Sequence, residues 1–347
     1  MDLSAKITGI KYTPFLGGKL KSYNFKELEK ALSTSATFIL NIDKTRSVVL
    51  SWWVSAKRTR SYPYARVYDS LGFAGKKITI IPIVKDEGLE GDRDFLQWDT
   101  ISLMSLLGVY VIIAYYVDAK PSERYEQKIT SQRFDINYIK KQIEDILSYQ
   151  SDALHWNLAQ IDKAGELGQR ALENYNKISR KTKVKMHSRN SAKKRIDELL
   201  KGKKEFMVLS RSLAEKAQRR ESVTIQPKEH LTGKKGIITI KNYLGGYYYF
   251  TVDELKISGK NVYLVEGKHS HGTLPSTGDI KDGLIKMILF SNLKELRLNG
   301  RVFAPKPVLK LTVENNFDLK KLNATQKEIL SLIYKEARIN GFTIKIS

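Results

Sequence analysis

The amino-acid sequence predicts an α/β protein built from more than one domain. Short runs of β-branched and aromatic residues, typical of buried strands, alternate with longer stretches whose apolar residues recur at helical spacing. A chain of 347 residues is also long enough for two domains. We divide it into an N-terminal α/β region (1–125), a mainly helical basic region (133–230) and a second α/β region (232–347).

The first region contains four predicted strands and a helix. Its apolar run Ile101–Val117 is 17 residues long, which is at the short limit for a membrane span. Gly108 divides this run, and glycine directly after a helical pattern is a common helix end. We therefore favour a helix that starts near Asp94, capped by Asp92 or Asp94, and is followed by a buried strand. The four strands are predicted at Ala36–Ile42, Val48–Val54, Ile78–Val84 and Val109–Val117.

The helical region carries most of the excess positive charge. Between Lys177 and Lys235, 19 lysines and arginines stand against 6 acidic residues, which accounts for 13 of the net charge of +23. Such an excess favours a polyanionic partner, and clustered cations suit contact with DNA phosphates. The alternative is that these residues are the solvated faces of helices. The candidate DNA-binding residues here are Lys181, Lys183, Lys185, Arg189, Lys193, Lys194 and Arg195.

A second basic segment, Ser51–Arg66, interleaves cations with aromatic side chains. Aromatic and basic residues on one loop suit contact with nucleic acid. Lys57, Arg58 and Arg60 are therefore further candidate DNA-binding residues. The alternative places the tryptophans in the core and leaves the arginines to coat a surface. The aromatic residues of the segment are Trp52, Trp53, Tyr62 and Tyr64.

A β-hairpin is predicted in the third region. Its two strands, Tyr247–Ile257 and Asn261–Val265, are rich in aromatic and β-branched residues. The Ser-Gly-Lys-Asn sequence between them is typical of a tight turn. If Gly259 is the first residue of a two-residue turn, the resulting register places Asp253 directly opposite Glu266.

This register gathers charged groups on one face of the hairpin. Because side chains alternate along a strand, Lys268 points the same way as Glu266, whereas Glu254 points to the opposite face. Facing carboxylates such as Asp253 and Glu266 repel each other unless a cation lies nearby. Two carboxylates with open coordination positions suit Mg²⁺ and phosphate chemistry.

Further elements are predicted after the hairpin. An amphipathic helix runs from Asp279 to about Leu296, and a strand follows at Pro307–Val313. The chain then forms a helix introduced by a capping-box pattern at Thr325–Glu328 and ended by Gly341, before a last short strand.

The hairpin and the elements after it resemble the conserved core of the PD-(D/E)xK nuclease superfamily. The signature of an Asp, about a dozen residues, and then Glu-x-Lys at the end of an apolar strand matches Asp253, Glu266 and Lys268. The order strand, strand, helix, strand also matches. The resemblance covers roughly residues 232–315, and the chain is most similar to type II restriction endonucleases. It departs from the signature at Val252, where proline often precedes the Asp.

The resemblance implies a PD-(D/E)xK-like mixed-sheet domain that hydrolyses double-stranded DNA with the help of Mg²⁺. Asp253 and Glu266 would hold the metal, and Lys268 would orient the attacking water or stabilise developing negative charge. His269 points away from this site and is excluded. Restriction enzymes of this kind are commonly homodimers that read a symmetric site. The long helices of 133–220 have apolar stripes that exceed what one small sheet could cover, and they are therefore a candidate pairing surface. A cognate DNA methyltransferase would be a separate chain.

Other interpretations remain open. The same core serves structure-specific and repair nucleases, and the acids could also be structural in a non-catalytic DNA-binding protein. A rival site at Asp118 and Lys120 lacks a facing acid on a preceding hairpin strand. The absence of cysteine excludes a zinc ribbon, a thiol nucleophile and a disulfide scaffold. The absence of cysteine fits a reducing compartment, and no apolar leader follows Met1, so we predict a cytoplasmic protein. The sequence contains neither a Gly-rich phosphate loop nor a dinucleotide-binding fingerprint, so neither ATP nor NAD is implied as a ligand.

Overall fold

The computed structural model describes residues 1–56, 62–200, 234–242, 247–314 and 318–347. The chain forms two compact units. The central unit is Leu20–Ser210, and the terminal unit combines Met1–Lys19 with Arg211–Ser347. This division differs from the three consecutive regions that the sequence predicts. The first strand, β1 (Asp2–Ile7), pairs with strands from the last third of the chain, which places the N-terminus in the terminal unit.

The central unit contains nine strands and seven helices among the described residues. Its strands are β2 (Ser22–Asn24), β3 (Thr37–Asn41), β4 (Ser47–Trp52), β5 (Lys77–Pro82), β6 (Val84–Asp86), β7 (Arg93–Phe95), β8 (Val109–Ala114), β9 (Tyr116–Pro121) and β10 (Ile129–Phe134). Its helices are α1 (Leu28–Thr34), α2 (Tyr62–Ser70), α3 (Trp98–Leu106), α4 (Ile136–Ser148), α5 (Ala153–Asp162), α6 (Ala164–Thr182) and α7 (Arg189–Leu200).

The largest sheet of the central unit is mixed, as expected for an α/β fold. Its strand order among the described residues is β2-β3-β4-β5-β8, with β4, β5 and β8 parallel. Strand β8 is buried along its whole length, as is usual for parallel strands covered on both faces. The run predicted as one strand from Val109 to Val117 is divided between β8 and β9. The part of the chain that the structure describes contains no helix long and apolar enough to cross a membrane.

Helix α3 begins later than the sequence predicts. Gln97, not Asp92 or Asp94, is its N-cap. Asp94 lies instead in strand β7, where its carboxylate accepts a hydrogen bond of 2.5 Å from the Ser55 hydroxyl. The predicted helix end is confirmed, because Gly108 adopts a φ of +67° directly after the helix.

Helices α4 to α7 pack inside the central unit and do not form a separate region. The apolar stripe of α4 is buried at Ile139, Ile143 and Ile146, and Leu167 and Tyr175 of α6 are buried as well. Among the described side chains of residues 133–197, no large apolar side chain is exposed. The described part of these helices therefore has no surplus apolar stripe of the kind that the sequence argument for a pairing surface assumed.

In the terminal unit, the described strands form one mixed sheet. Besides β1, the strands are β11 (Lys234–Asn242), β12 (Tyr247–Ser258), β13 (Asn261–Ser270), β14 (Lys294–Leu298), β15 (Arg301–Val313) and β16 (Thr343–Ile346). The described α-helices of this unit are α8 (Thr277–Ser291) and α9 (Ala324–Asn340). The strand order is β13-β12-β11-β1-β14-β15-β16, and β13 also pairs in parallel with β15. Helix α8 packs against β13 and β15, and its inward side chains reach the end of the hairpin.

Several predicted boundaries in this unit are wrong. Strand β13 continues to Ser270 instead of ending at Val265, and β15 begins at Arg301 instead of Pro307. Helix α8 ends at Ser291 rather than near Leu296, because Asn292 closes its last turn and strand β14 follows. The N-cap of α9 is Asn323, whose side chain forms a capping box with Gln326, so the box lies two residues before the predicted Thr325–Glu328 pattern. The predicted end of α9 at Gly341 is confirmed by its φ of +74°.

Candidate functional site

The hairpin that carries the candidate site has the predicted register. Ser258 pairs with Asn261, and the ladder continues to Glu254 opposite Val265. Gly259 adopts a φ of +56° at this turn, a left-handed backbone conformation that residues with a side chain rarely adopt. One step beyond the ladder, the Asp253 carboxylate accepts a 2.8 Å hydrogen bond from the backbone N–H of Gly267. The predicted convergence of Asp253 with the Glu-x-Lys segment is therefore present in the structure.

Glu266 is the buried centre of the site. Its side chain is 1% exposed, and each of its oxygens contacts a lysine. Oε1 lies 3.0 Å from Lys268 Nζ, and Oε2 lies 2.6 Å from Lys286 Nζ. Burial alone would raise the pKa of Glu266, but Lys286 and Lys268 lower this pKa to about 2. Glu266 is therefore ionised at neutral pH in spite of its burial.

Lys268 is held between two acids and the surface of helix α8. Its ammonium lies 2.5 Å from Asp282 Oδ2, in addition to its contact with Glu266. Although burial lowers the pKa of Lys268, Glu266 and Asp282 raise it above its usual value. Gly283 makes room for the aliphatic stem of Lys268, because a Cβ at position 283 would lie 3.3 Å from Lys268 Cε and 2.7 Å from Leu309 Cδ1.

The opposite face of the hairpin carries a separate ion pair. Glu254 lies 3.9 Å from Lys310, away from Glu266. His269 follows the same alternation, and its Nδ1 is 2.9 Å from the Thr312 hydroxyl. These contacts agree with the exclusion of Glu254 and His269 from the site.

Helix α8 supplies charged residues that the sequence argument did not single out. Asp282 and Lys286 are four residues apart on this helix, and both contact the predicted site residues. The signal in the sequence was Lys286 itself, since it interrupts an otherwise apolar stretch and lysine is rarely buried without a partner. Gly283 was a second signal, because glycine inside a helix is unfavourable unless close packing requires it.

The site brings three acids and two lysines together. Asp253, Glu266 and Asp282 lie close to Lys268 and Lys286. No three His, Asp or Glu side chains among the described residues are arranged to hold a metal ion. Mg²⁺, however, is commonly bound by only one or two carboxylates together with water and substrate phosphate. Two carboxylates on this hairpin fit that requirement, although both oxygens of Glu266 already contact ammonium groups.

The predicted DNA-binding residues of the helical region lie mostly on the surface of the central unit. Two of them have protein partners: Lys181 lies 2.6 Å from Asp118, and the Arg195 guanidinium stacks 4.9 Å from the ring centre of Phe95. The exposed candidates are Lys181, Lys183, Lys185, Arg189, Lys193 and Lys194. Neither Lys193 nor Lys194 forms an ion pair with a described residue.

The rival site at Asp118 and Lys120 has a structural explanation. Asp118 is paired with Arg133 as well as with Lys181. Hydrogen bonds from these two cations lower the pKa of Asp118 to about 2. Asp118 thus joins strand β9 to β10 and to helix α6.

Two aromatic residues of Ser51–Arg66, Trp53 and Tyr64, belong to the core. Trp53 is fully buried, and its ring packs edge-on against Tyr64. Trp52 donates its indole N–H to the Ser35 carbonyl, and the Arg66 guanidinium lies over the Trp52 ring. The alternative in which the tryptophans belong to the core is therefore observed for Trp53, whereas Trp52 is half-buried. The candidates Lys57, Arg58 and Arg60 lie outside the described residues.

Comparison with known proteins gives no relative from which a function could be transferred. No family model, no curated protein and no solved structure matches this chain. The chemistry of the site is therefore the basis on which a function is assigned.

Proposed function

We propose that the protein is a Mg²⁺-dependent, sequence-specific endonuclease of double-stranded DNA, with a PD-(D/E)xK-like catalytic core in the terminal unit. The observation that carries this proposal is the convergence of Asp253, Glu266 and Lys268 at one end of the hairpin. Each of these residues was expected at the site from the resemblance of the sequence. The net charge of +23 supports a polyanionic substrate.

The residues of the site have distinct roles in this proposal. Asp253 and Glu266 would hold Mg²⁺, which when bound supplies Lewis-acid stabilisation of the phosphate and lowers the pKa of a water molecule. The Lys268 ammonium orients the attacking water or stabilises the negative charge that develops on the phosphate. Asp282 and Gly283 fix the position of Lys268, the first through its 2.5 Å ion pair and the second by allowing close approach.

DNA recognition is assigned to the basic residues of the central unit. Cations that contact phosphates supply affinity and position the duplex, whereas side chains in the grooves read the sequence. The exposed pair Lys193 and Lys194, with the neighbouring Arg189, are the described residues best suited to phosphate contact. Cutting both strands at one site requires two catalytic centres, so we expect a homodimer that acts at a symmetric site. The lack of cysteine in the sequence is the reason for expecting it in the cytoplasm.

A non-catalytic DNA-binding protein is the second candidate function. It is favoured by one observation, namely that both oxygens of Glu266 are occupied by lysines. In that case the cluster only fastens helix α8 to the hairpin.

Incubation of the purified chain with plasmid DNA, with and without Mg²⁺, distinguishes the candidates. The proposal expects discrete fragments only when Mg²⁺ is present. Nonspecific degradation or cleavage limited to branched substrates would instead indicate a repair or structure-specific nuclease. Binding without cleavage under all metal conditions would support the non-catalytic alternative.

A further inference from the structure

Lys286 occupies the position at Glu266 that a cation would take. Its ammonium lies 2.6 Å from Glu266 Oε2, and its side chain is only 11% exposed. Lys286 comes from helix α8 and is separate from the Glu-x-Lys segment, so its presence at Glu266 is not part of the pattern that suggested the site.

Lys286 and a divalent ion would compete for the same carboxylate. A metal ion bound by Glu266 would lie next to the Lys286 ammonium, which already contacts Oε2 of this residue. Two like charges at such a short separation repel each other, and the repulsion is strongest in a buried site. The two cations therefore oppose each other at Glu266.

We propose that Lys286 is an internal competitor for divalent cations, which holds Glu266 when no metal is bound and has to withdraw from it when a metal enters. This inference rests on the proposed function, since it concerns the same carboxylates. Its consequence is a site with weakened metal affinity, which becomes occupied only when the divalent ion is abundant. The Lys286 ammonium acts by its position on Glu266, and no covalent step is involved.

Lys286→Met tests the inference, because methionine fills a similar volume without the charge. Mn²⁺ binding to the full-length chain is measured by electron paramagnetic resonance and by calorimetry. Removing one charge a few ångströms from the ion is expected to strengthen Mn²⁺ binding by about tenfold to a thousandfold. Lys286→Arg keeps the charge and should bind Mn²⁺ like the wild type. Lys310→Met removes the lysine that pairs with Glu254 on the opposite face, and should also bind like the wild type.

The outcomes separate this inference from the proposed function. Unchanged or weaker Mn²⁺ binding by Lys286→Met would overturn the inference, while Mg²⁺-dependent cleavage by the wild type would leave the proposed function standing. Tighter binding by this variant without any cleavage by the wild type would support the inference and contradict the nuclease. If neither protein binds Mn²⁺ at millimolar concentration, both proposals fail. If Lys286→Met does not fold, Lys286→Gln provides the neutral side chain and the same comparison.

Discussion

Replacing Glu266 with glutamine should destabilise the terminal unit in a pH-dependent way. The pKa of this buried carboxyl is lowered from 4.5 to about 2 by Lys286 and Lys268. Since one pKa unit corresponds to about 1.4 kcal/mol, ionised Glu266 contributes about 3 kcal/mol to the free energy of unfolding. Because the folded pKa is depressed, this contribution is fully present above pH 4.5 and is lost as the pH falls towards 2. The Glu266→Gln variant lacks it at every pH.

Urea unfolding at several pH values measures this difference. All four tryptophans lie in the central unit, so their fluorescence reports that unit, while circular dichroism reports both. At pH 7 the variant should lose about 3 kcal/mol in the transition seen only by circular dichroism. The difference in the free energy of unfolding between the variant and the wild type should narrow as the pH falls from 4.5 to 3. Glu328→Gln, at an exposed position of the same unit, should lose less. A difference in the free energy of unfolding that is the same at pH 7 and at pH 3 would refute the reasoning.

Three further predictions concern the site, the DNA surface and the N-terminal segment. Gly283→Ala should lower the cleavage rate at least about tenfold, because the added Cβ would displace Lys268. Gly278→Ala should keep the wild-type rate, because its added Cβ would meet no atom closer than 3.8 Å. Equal rates for the two variants would contradict the packing argument. Replacing Lys193 and Lys194 with alanine should flatten the log–log salt dependence of DNA binding by up to about two units. An unchanged slope would move the phosphate contacts elsewhere, and alanines at the exposed Lys320 and Lys321 control for net charge. Glu336 is buried and accepts hydrogen bonds from the Tyr12 hydroxyl and from the backbone N–H groups of residues 15 and 16. Glu336→Ala should therefore lower the free energy of unfolding in urea by roughly 2–4 kcal/mol. A loss no larger than that of the exposed Glu328→Ala would contradict this role.

The hairpin could be predicted because its information is local. The turn at Gly259 fixes the register, and strand alternation then decides which side chains share a face. From these two rules the positions of Asp253, Glu266 and Glu254 follow without knowledge of the rest of the fold. Helix α8 and the later part of strand β15 were visible for the same reason.

The other features depend on contacts distant in sequence. Strand β1 alternates buried and exposed residues over only six positions, and its partner β11 begins at Lys234. Helix α8 was expected to have a solvated face, but it is covered on more than one side, which turns Lys286 into a buried partner of Glu266. Strand β14 is the exception, because its signal is local: Asn299 and Gly300, both with positive φ, form the turn that joins it to β15.

The central claim is that Asp253 serves catalysis whereas its neighbour Glu254 does not. The most direct measurement is Mg²⁺-dependent plasmid cleavage by Asp253→Asn and Glu254→Gln, with DNA binding of both measured separately in the absence of cleavage. We expect the Asp253 variant to lose at least about a hundredfold in cleavage rate while it still binds DNA, and the Glu254 variant to cleave like the wild type. Loss of cleavage in the Glu254 variant with full activity in the Asp253 variant would contradict the account.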